Sequence, residues 1–205
     1  NSPIVEIFRF ILMTGARLGE VLHMEWEDFD EKTGIWTIRS KPRCPTFYGL
    51  GWKPKWDKWR QVPLFDDAVE LLEYLPRQEK VYGTVPVRDE NKEIIGHKIY
   101  PANFVFPKKV VDGKSGKVGY CRVNCIRNGW EALKKLAQVE NLQLRDLRTY
   151  FNHILKTNYN FTSKEAGVYI GNNEVVNELH YSPYHEPTIR EKMQRLPLKE
   201  AQGWL

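Results

Sequence analysis

Three short segments carry residues able to act on a phosphate. Thr14-Gly15-Ala16-Arg17-Leu18-Gly19-Glu20 puts an arginine just after a glycine break, with a glutamate three residues further on. At that spacing the carboxylate braces the guanidinium, and a braced guanidinium grips a phosphate with two parallel hydrogen bonds. Alone, the segment reads more readily as an ordinary surface ion pair. Leu144-Arg145-Asp146-Leu147-Arg148-Thr149-Tyr150 places two arginines three apart on one helix face. Like charges so placed repel unless an anion or an acid lies between them; a bound phosphate and a solvated basic face both fit. The third segment runs from Gly171-Asn172-Asn173 to His180-Tyr181-Ser182-Pro183, with Tyr181 nine residues after Asn172. A tyrosine close to a proline is usually a packing or turn residue. To act as a nucleophile its phenol, with a pKa near 10, needs deprotonation or a cationic field.

The elements around these segments are mostly helical. Residues 3–23 read as a helix with Ser2 as N-cap and Pro3 at its first position, carried by Ile4, Ile7, Phe8, Ile11 and Leu12 at helical spacing and interrupted at Gly15. Residues 28–34 are turn-rich. Residues 35–38 have β character, with 61–64 as their expected partner. The long connection between them carries Pro42, Pro45, Gly49, Gly51 and Pro54 among Phe47, Tyr48, Trp52, Trp56 and Trp59, and reads as an extended hairpin loop or small subdomain. Asp66 is expected to cap a helix reaching Tyr74. Residues 80–119 look irregular, with a possible hairpin pairing 85–88 with 94–99 and a short strand at 104–106. Helices follow at about 123–139, 145–155, 163–170 and 174–179, with a last one after Pro187. There are no repeats or low-complexity tracts. The expected fold class is α+β, mostly helical, with a small antiparallel sheet near the N-terminal third.

The 205 residues suffice for a full hydrophobic core. Seven Trp and ten Tyr argue against disorder. The net charge of +5 suits a polyanionic partner and equally a solubilising surface. Cys44, Cys121 and Cys125 make an odd count without zinc-ligand spacing and read as reduced thiols. No segment reads as a signal peptide, and no apolar run approaches the roughly 20 residues of a membrane span. The chain starts inside a helical pattern, as a piece of a longer protein would.

Taken in order, the three segments resemble the tyrosine recombinase, or phage integrase, family. Its members carry Thr-Gly-x-Arg-x-x-Glu early, a basic residue three before an arginine late, and a Gly-His or Gly-Trp step nine residues before the tyrosine. Val62-Pro63-Leu64 and Val105-Phe106-Pro107 are similar to its connecting segments, so the likeness runs from about residue 7 to 185. It implies that residues 1–205 form a recombinase catalytic domain, without the family's N-terminal DNA-clamping domain. It also implies double-stranded DNA as partner, a homo-tetramer on paired sites, residues 187–205 docking on a neighbour through Ile189, Met193 and Leu196, and a cytoplasmic, nucleoid-associated location. Neither cofactor nor metal is implied.

The same resemblance assigns roles. Arg17 and Arg148, helped by Arg145 and Asn172, stabilise charge on the phosphate. Tyr181 attacks the phosphorus and forms a 3′-phosphotyrosyl bond. Lys55, ahead of Arg60-Gln61-Val62-Pro63-Leu64, protonates the leaving 5′-oxygen, with Lys41 as the alternative. Lys41, Lys53, Lys58 and Arg60 are candidate DNA contacts. Arg145 stands where His or Lys is common, and being always protonated it cannot take the tyrosine's proton. Asn172 stands where His or Trp is common; it donates a hydrogen bond without charge. Two rivals follow: a type IB topoisomerase, and a DNA-binding homologue without catalysis.

Overall fold

The computed structural model describes residues 3–45, 51–91, 93–113 and 116–181, without the side chains of 43–45, 84–86, 88, 97 and 178–181. The expected Ser2 cap, the residues 46–50 with Phe47, Tyr48 and Gly49, and the helix expected after Pro187 lie outside the described residues, as does the side chain of Cys44.

The first helical stretch is two helices, α1 (Ile4–Thr14) and α2 (Leu18–Leu22). Pro3 is the N-cap of α1 rather than its first helical residue. Gly15 ends α1 at φ 61°, a left-handed conformation that glycine adopts without a Cβ penalty. A Cβ there would meet Phe151 Cδ1 at 2.6 Å, so the position is closed to side chains twice over. Thr14 Oγ1 donates to the Phe10 carbonyl and accepts the Ala16 N–H, tying the chain where it leaves the helix.

Strands β1 (Phe29–Asp30) and β2 (Ile35–Ile38), then β3 (Lys41–Pro45), β4 (Gly51–Trp52) and β5 (Arg60–Pro63), occupy the N-terminal third. β1, β2 and β5 form an antiparallel sheet in which Trp36 faces Val62 across the strands, as the alternation of apolar residues leads one to expect. β3 and β4 pair separately. Helix α3 (Asp66–Tyr74) follows, with Phe65 at the N-cap, so Asp66 opens the helix instead of capping it. It favours the N-terminus there through its charge.

Residues 81–122 depart most from the sequence reading. They form a four-stranded sheet: β6 (Val81–Arg88), β7 (Ile94–Pro101), β8 (Pro107–Val111) and β9 (Val118–Arg122), ordered β7-β6-β9-β8. β6 and β9 are parallel and pair only where the start of β6 meets the later half of β9, which joins two antiparallel hairpins. The expected strand at 104–106 is a single bridge, Phe104 to Glu25, within a buried segment.

The C-terminal half is helical: α4 (Arg127–Leu136), α5 (Leu144–Thr157), α6 (Ser163–Ile170) and α7 (Glu174–Tyr181). The main core joins α1, α3 and the first sheet around Phe10, Trp36, Phe106, Ile7, Ile11, Leu72 and Val62. Each such side chain contributes on the order of 2 kcal/mol by burial. A smaller core, Phe151, Leu155, Ala166 and Ile170, locks α5 to α6. Together these cores fix the C-terminal ends of α1 and α6.

Candidate active site

At those two helix ends the backbone turns left-handed, at Gly15 and at Gly171 (φ 78°). The carbonyls there accept guanidinium hydrogen bonds. Arg17 Nη2 donates to Gly171 O at 2.7 Å. Arg148 donates from Nη1 to Gly15 O at 2.6 Å and from Nη2 to Ile170 O at 2.7 Å. Helix C-termini carry partial negative charge, which favours a cation. The fold therefore brings Arg17 and Arg148, 131 positions apart by their numbers, to one junction.

Their exposure differs. Arg148 is 5% exposed and lies off the cleft wall. Arg17 retains about a quarter of its side-chain exposure and opens onto a cleft of about 630 Å³ whose walls include Lys55, Trp56, Trp59 and Asn172. Arg17 Nη1 is held by Glu20 Oε1 at 3.0 Å, and Nη2 also donates to Asn172 Oδ1 at 2.8 Å. Oδ1 is occupied in this way, while the buried Nδ2 of the Asn172 amide has no hydrogen-bond partner among the described residues. Buried donors are paired in the great majority of cases, so such an atom calls for an acceptor.

Glu20 anchors the whole arrangement. Only 2% exposed, it accepts the Arg17 N–H at 2.8 Å and a two-pronged bond from Arg60, Nη1 to Oε1 at 2.8 Å and Nη2 to Oε2 at 2.9 Å. Burial pushes its carboxyl up; the hydrogen bonds and charge of Arg60, then the charge and backbone N–H of Arg17, outweigh that and leave the group below the usual carboxylate range. The Glu20 carboxylate keeps both guanidiniums in place. Arg60 also lies flat against Gly171, where a Cβ would meet its Cζ at 2.6 Å. Arg60, a candidate DNA contact by sequence, is thus turned inward as a brace.

The two candidate lysines part company. Lys41 is 8% exposed, with Nζ 2.7 Å from Glu25 Oε2 and 2.5 Å from Asp28 Oδ2, beside a separate cavity that includes Arg39 and Tyr100. Lys55 is exposed on the cleft rim, its Nζ 5.5 Å from the centroid of the Trp56 ring. Lys53 is exposed and paired with Asp57 at 2.6 Å, and Lys58 stands on the rim. Arg145 is 76% exposed on α5, 4.0 Å from Asp146, and is not among the cleft residues. Arg145 and Arg148 therefore do not share an exposed face: one points to solvent and the other into the core.

Tyr181 closes α7, which begins just beyond Asn172; its side chain lies outside the described residues. Asn173 Oδ1 accepts the Val176 N–H and starts that helix. Asn177 is fully buried and exchanges amide hydrogen bonds with the fully buried Asn152 of α5, at 2.8 and 3.3 Å. This pair fixes the helix that carries Tyr181, and nothing in the local sequence around Asn152 or Asn177 announces it.

Outside the residues lining the cleft, His23 is stacked on Trp52, ring centroids 4.6 Å apart. Its Nδ1 faces Gly19 O at 2.7 Å and its Nε2 faces Arg122 Nη1 at 2.6 Å, so Nδ1 carries the proton and Nε2 accepts. Burial, then the charge of Arg122, lowers its pKa to about 3, and the ring is neutral. Among the described residues no group of His, Cys, Asp and Glu is placed to hold a metal ion, and no helix is long and apolar enough to cross a membrane.

This fold is that of a tyrosine recombinase catalytic domain. Among solved structures, the chain is similar to the Tn1549 transposon integrase in complex with a circular intermediate DNA (17% identity, TM-score 0.63, 93% of this chain and 58% of that one). It is similar to XerA recombinase (15% identity, TM-score 0.58, 94% and 60%). It also resembles XerH site-specific recombinase bound to palindromic difH substrate in a post-cleavage complex (17% identity, TM-score 0.55, 93% and 44%). The chain thus spans less than two thirds of the length of each. No family model matches the sequence, and neither does any curated protein.

Proposed function

We propose that this chain is the strand-cleaving and rejoining domain of a site-specific DNA recombinase. The observation that carries the reading is the cleft wall formed by Arg17 and Asn172: a guanidinium locked by Glu20 and Asn172 yet still partly exposed to the cleft. A non-bridging oxygen of a phosphodiester meets the exposed part of that guanidinium, and the fixed positive charge stabilises the charge that builds there during attack. The solved recombinases and integrases of the same fold, two of them bound to DNA, support DNA as the partner.

In this mechanism the Tyr181 phenol gives up its proton and its oxygen attacks phosphorus in line. The phosphorus–5′-oxygen bond breaks, a 3′-phosphotyrosyl bond forms, and Lys55 donates a proton to the departing 5′-oxygen. A 5′-hydroxyl from a second strand reverses the step, so the bond is restored without external energy. Arg17 and Asn172 bind the non-bridging oxygens; Arg148 adds positive charge from beneath and holds the two helix ends together. Arg145, always charged, is not the base, and it contributes a solvent-facing phosphate contact. Exchange between duplexes needs four such domains on paired sites.

The test is covalent capture. A pool of short duplexes, randomised in sequence and carrying one sulfur in place of a bridging 5′-oxygen, is incubated with the protein and resolved under denaturing conditions. An adduct that disappears in Tyr181→Phe supports the reading. Binding without any adduct makes the chain a DNA-binding homologue instead, and relaxation of supercoiled plasmid by the monomer, without strand exchange, makes it a topoisomerase.

A further inference from the structure

Phosphate chemistry leaves the outer wall of the cleft unexplained. Trp56 and Trp59 are 78% and 67% exposed. Tryptophan is highly buried on average, and four others in this chain behave so: Trp26 and Trp36 are buried, Trp52 is stacked on His23, and Trp130 packs edge-on against Phe8. The two exposed indoles are held out by the backbone. Trp56 (φ 68°, ψ 13°) and Asp57 (φ 52°) are consecutive left-handed residues, neither of them glycine. Such a turn persists only where its surroundings determine it. Here Asp57 is pinned by Ser40 Oγ at 2.5 Å and by Lys53 Nζ at 2.6 Å. Lys55 and Lys58 alternate with the indoles along the rim, facing the space that Arg17 and Asn172 bound.

Aromatic rings interleaved with cations match one ligand chemistry closely: a nucleic-acid strand whose bases stack on the rings while its phosphates meet the charges. An intact duplex hides its base faces. Only a base that has left its stack can use these rings. Given the proposal that the cleft takes a DNA phosphate, we infer that Trp56 and Trp59 form a stacking platform for a base displaced beside that phosphate. The platform makes the protein favour DNA that is locally unpaired at the site of action, and it holds the displaced base while the strand is open.

The experiment compares the affinity of the full chain for a labelled duplex and for the same duplex with a central two-nucleotide bulge. The wild type is expected to bind the bulged duplex more tightly, on the order of tenfold. Trp56→Ala/Trp59→Ala is expected to bind both alike, while Trp56→Phe/Trp59→Phe retains part of the preference. Thermal melting of each variant checks its fold. A wild type indifferent to the bulge overturns the platform, as does a preference that survives in the double alanine variant. An oligomer that dissociates in that variant also overturns it, by assigning the indoles to a protein interface. Arg17→Ala separates this inference from the one beneath it. If Arg17→Ala weakens both duplexes equally while the bulge makes no difference, the platform alone fails; if Arg17→Ala leaves DNA binding unchanged, the phosphate cleft itself fails.

Discussion

The inner wall of the cleft, from Arg17 to Asn172, and its outer wall, from Lys55 to Trp59, face the same space but are held by different means. On the inner wall a buried carboxylate, two helix-end carbonyls and a side-chain amide fix the Arg17 and Arg60 guanidiniums to within single hydrogen bonds. On the outer wall the side chains stand in water on a strained turn, pinned through one aspartate. The first arrangement costs nothing to organise when charge develops on a substrate, which is what electrostatic catalysis requires. The second leaves rings and lysines free to adapt to whatever strand arrives. Under the proposed function, the difference separates a part fixed for the same chemistry on every substrate from a part free to meet its variable features.

The largest break in this contrast comes from Glu20. Replacing one member of a buried charge cluster leaves the others uncompensated and costs about 3–5 kcal/mol. Glu20→Gln is therefore expected to lower the unfolding free energy from urea titration by that amount, with a lower midpoint, and to abolish covalent capture. An unchanged midpoint would mean that the inner wall is not organised around this carboxylate.

The two lysines sharpen the contrast next. Lys41→Ala strands the carboxylates of Glu25 and Asp28 and is expected to destabilise the fold by about 3 kcal/mol. Lys55→Ala, exposed on the rim, is expected to change stability by less than about 0.5 kcal/mol while slowing cleavage by about 10²–10⁴-fold. Sulfur in place of the 5′-oxygen leaves without needing a proton, so it should restore cleavage to Lys55→Ala. Rescue of Lys41→Ala in place of Lys55→Ala would exchange the two roles.

A smaller effect concerns His23, which stacks on Trp52 before the Lys55–Trp59 segment. Its folded pKa, about 3, is below the ordinary 6.5, so the unfolded chain binds the extra proton between those values. The stabilisation is complete above pH 6.5 and falls as pH drops toward 3, with about 2 kcal/mol lost at pH 5. Denaturant titrations at pH 7 and pH 5 measure it; His23→Gln, which still offers Arg122 an acceptor, should flatten this part of the profile. An equal slope in the variant would assign the loss to other groups.

Much of this arrangement can be read from local sequence. The break at Gly15, the Arg17–Glu20 brace, the pairing of 35–38 with the strand before Leu64, and the helix 163–170 all follow from spacing and from residues with one strong conformational preference. Of the four-stranded sheet only the hairpin of 85–88 with 94–99 does; the second hairpin and the parallel pairing of β6 with β9 do not, because Pro107 and Gly119 read as loop residues and β6 and β9 lie far apart in the chain. The inward turn of Arg60 and the burial of Arg148 depend on carbonyls supplied by other helices. The Asn152–Asn177 exchange joins residues 25 apart with no local pattern to announce it. Charge and spacing nominate candidates; only the tertiary contacts decide which of two nearby arginines stays open to solvent and which is buried in the fold.

The most direct measurement is the identity of the residue that carries DNA after capture. The trapped protein is digested and the nucleotide-bearing peptide sequenced by mass spectrometry. The account predicts a nucleotide on the phenolic oxygen of Tyr181, in a yield that falls sharply with Arg17→Ala. A nucleotide on any other side chain, or an undiminished yield without Arg17, would contradict it.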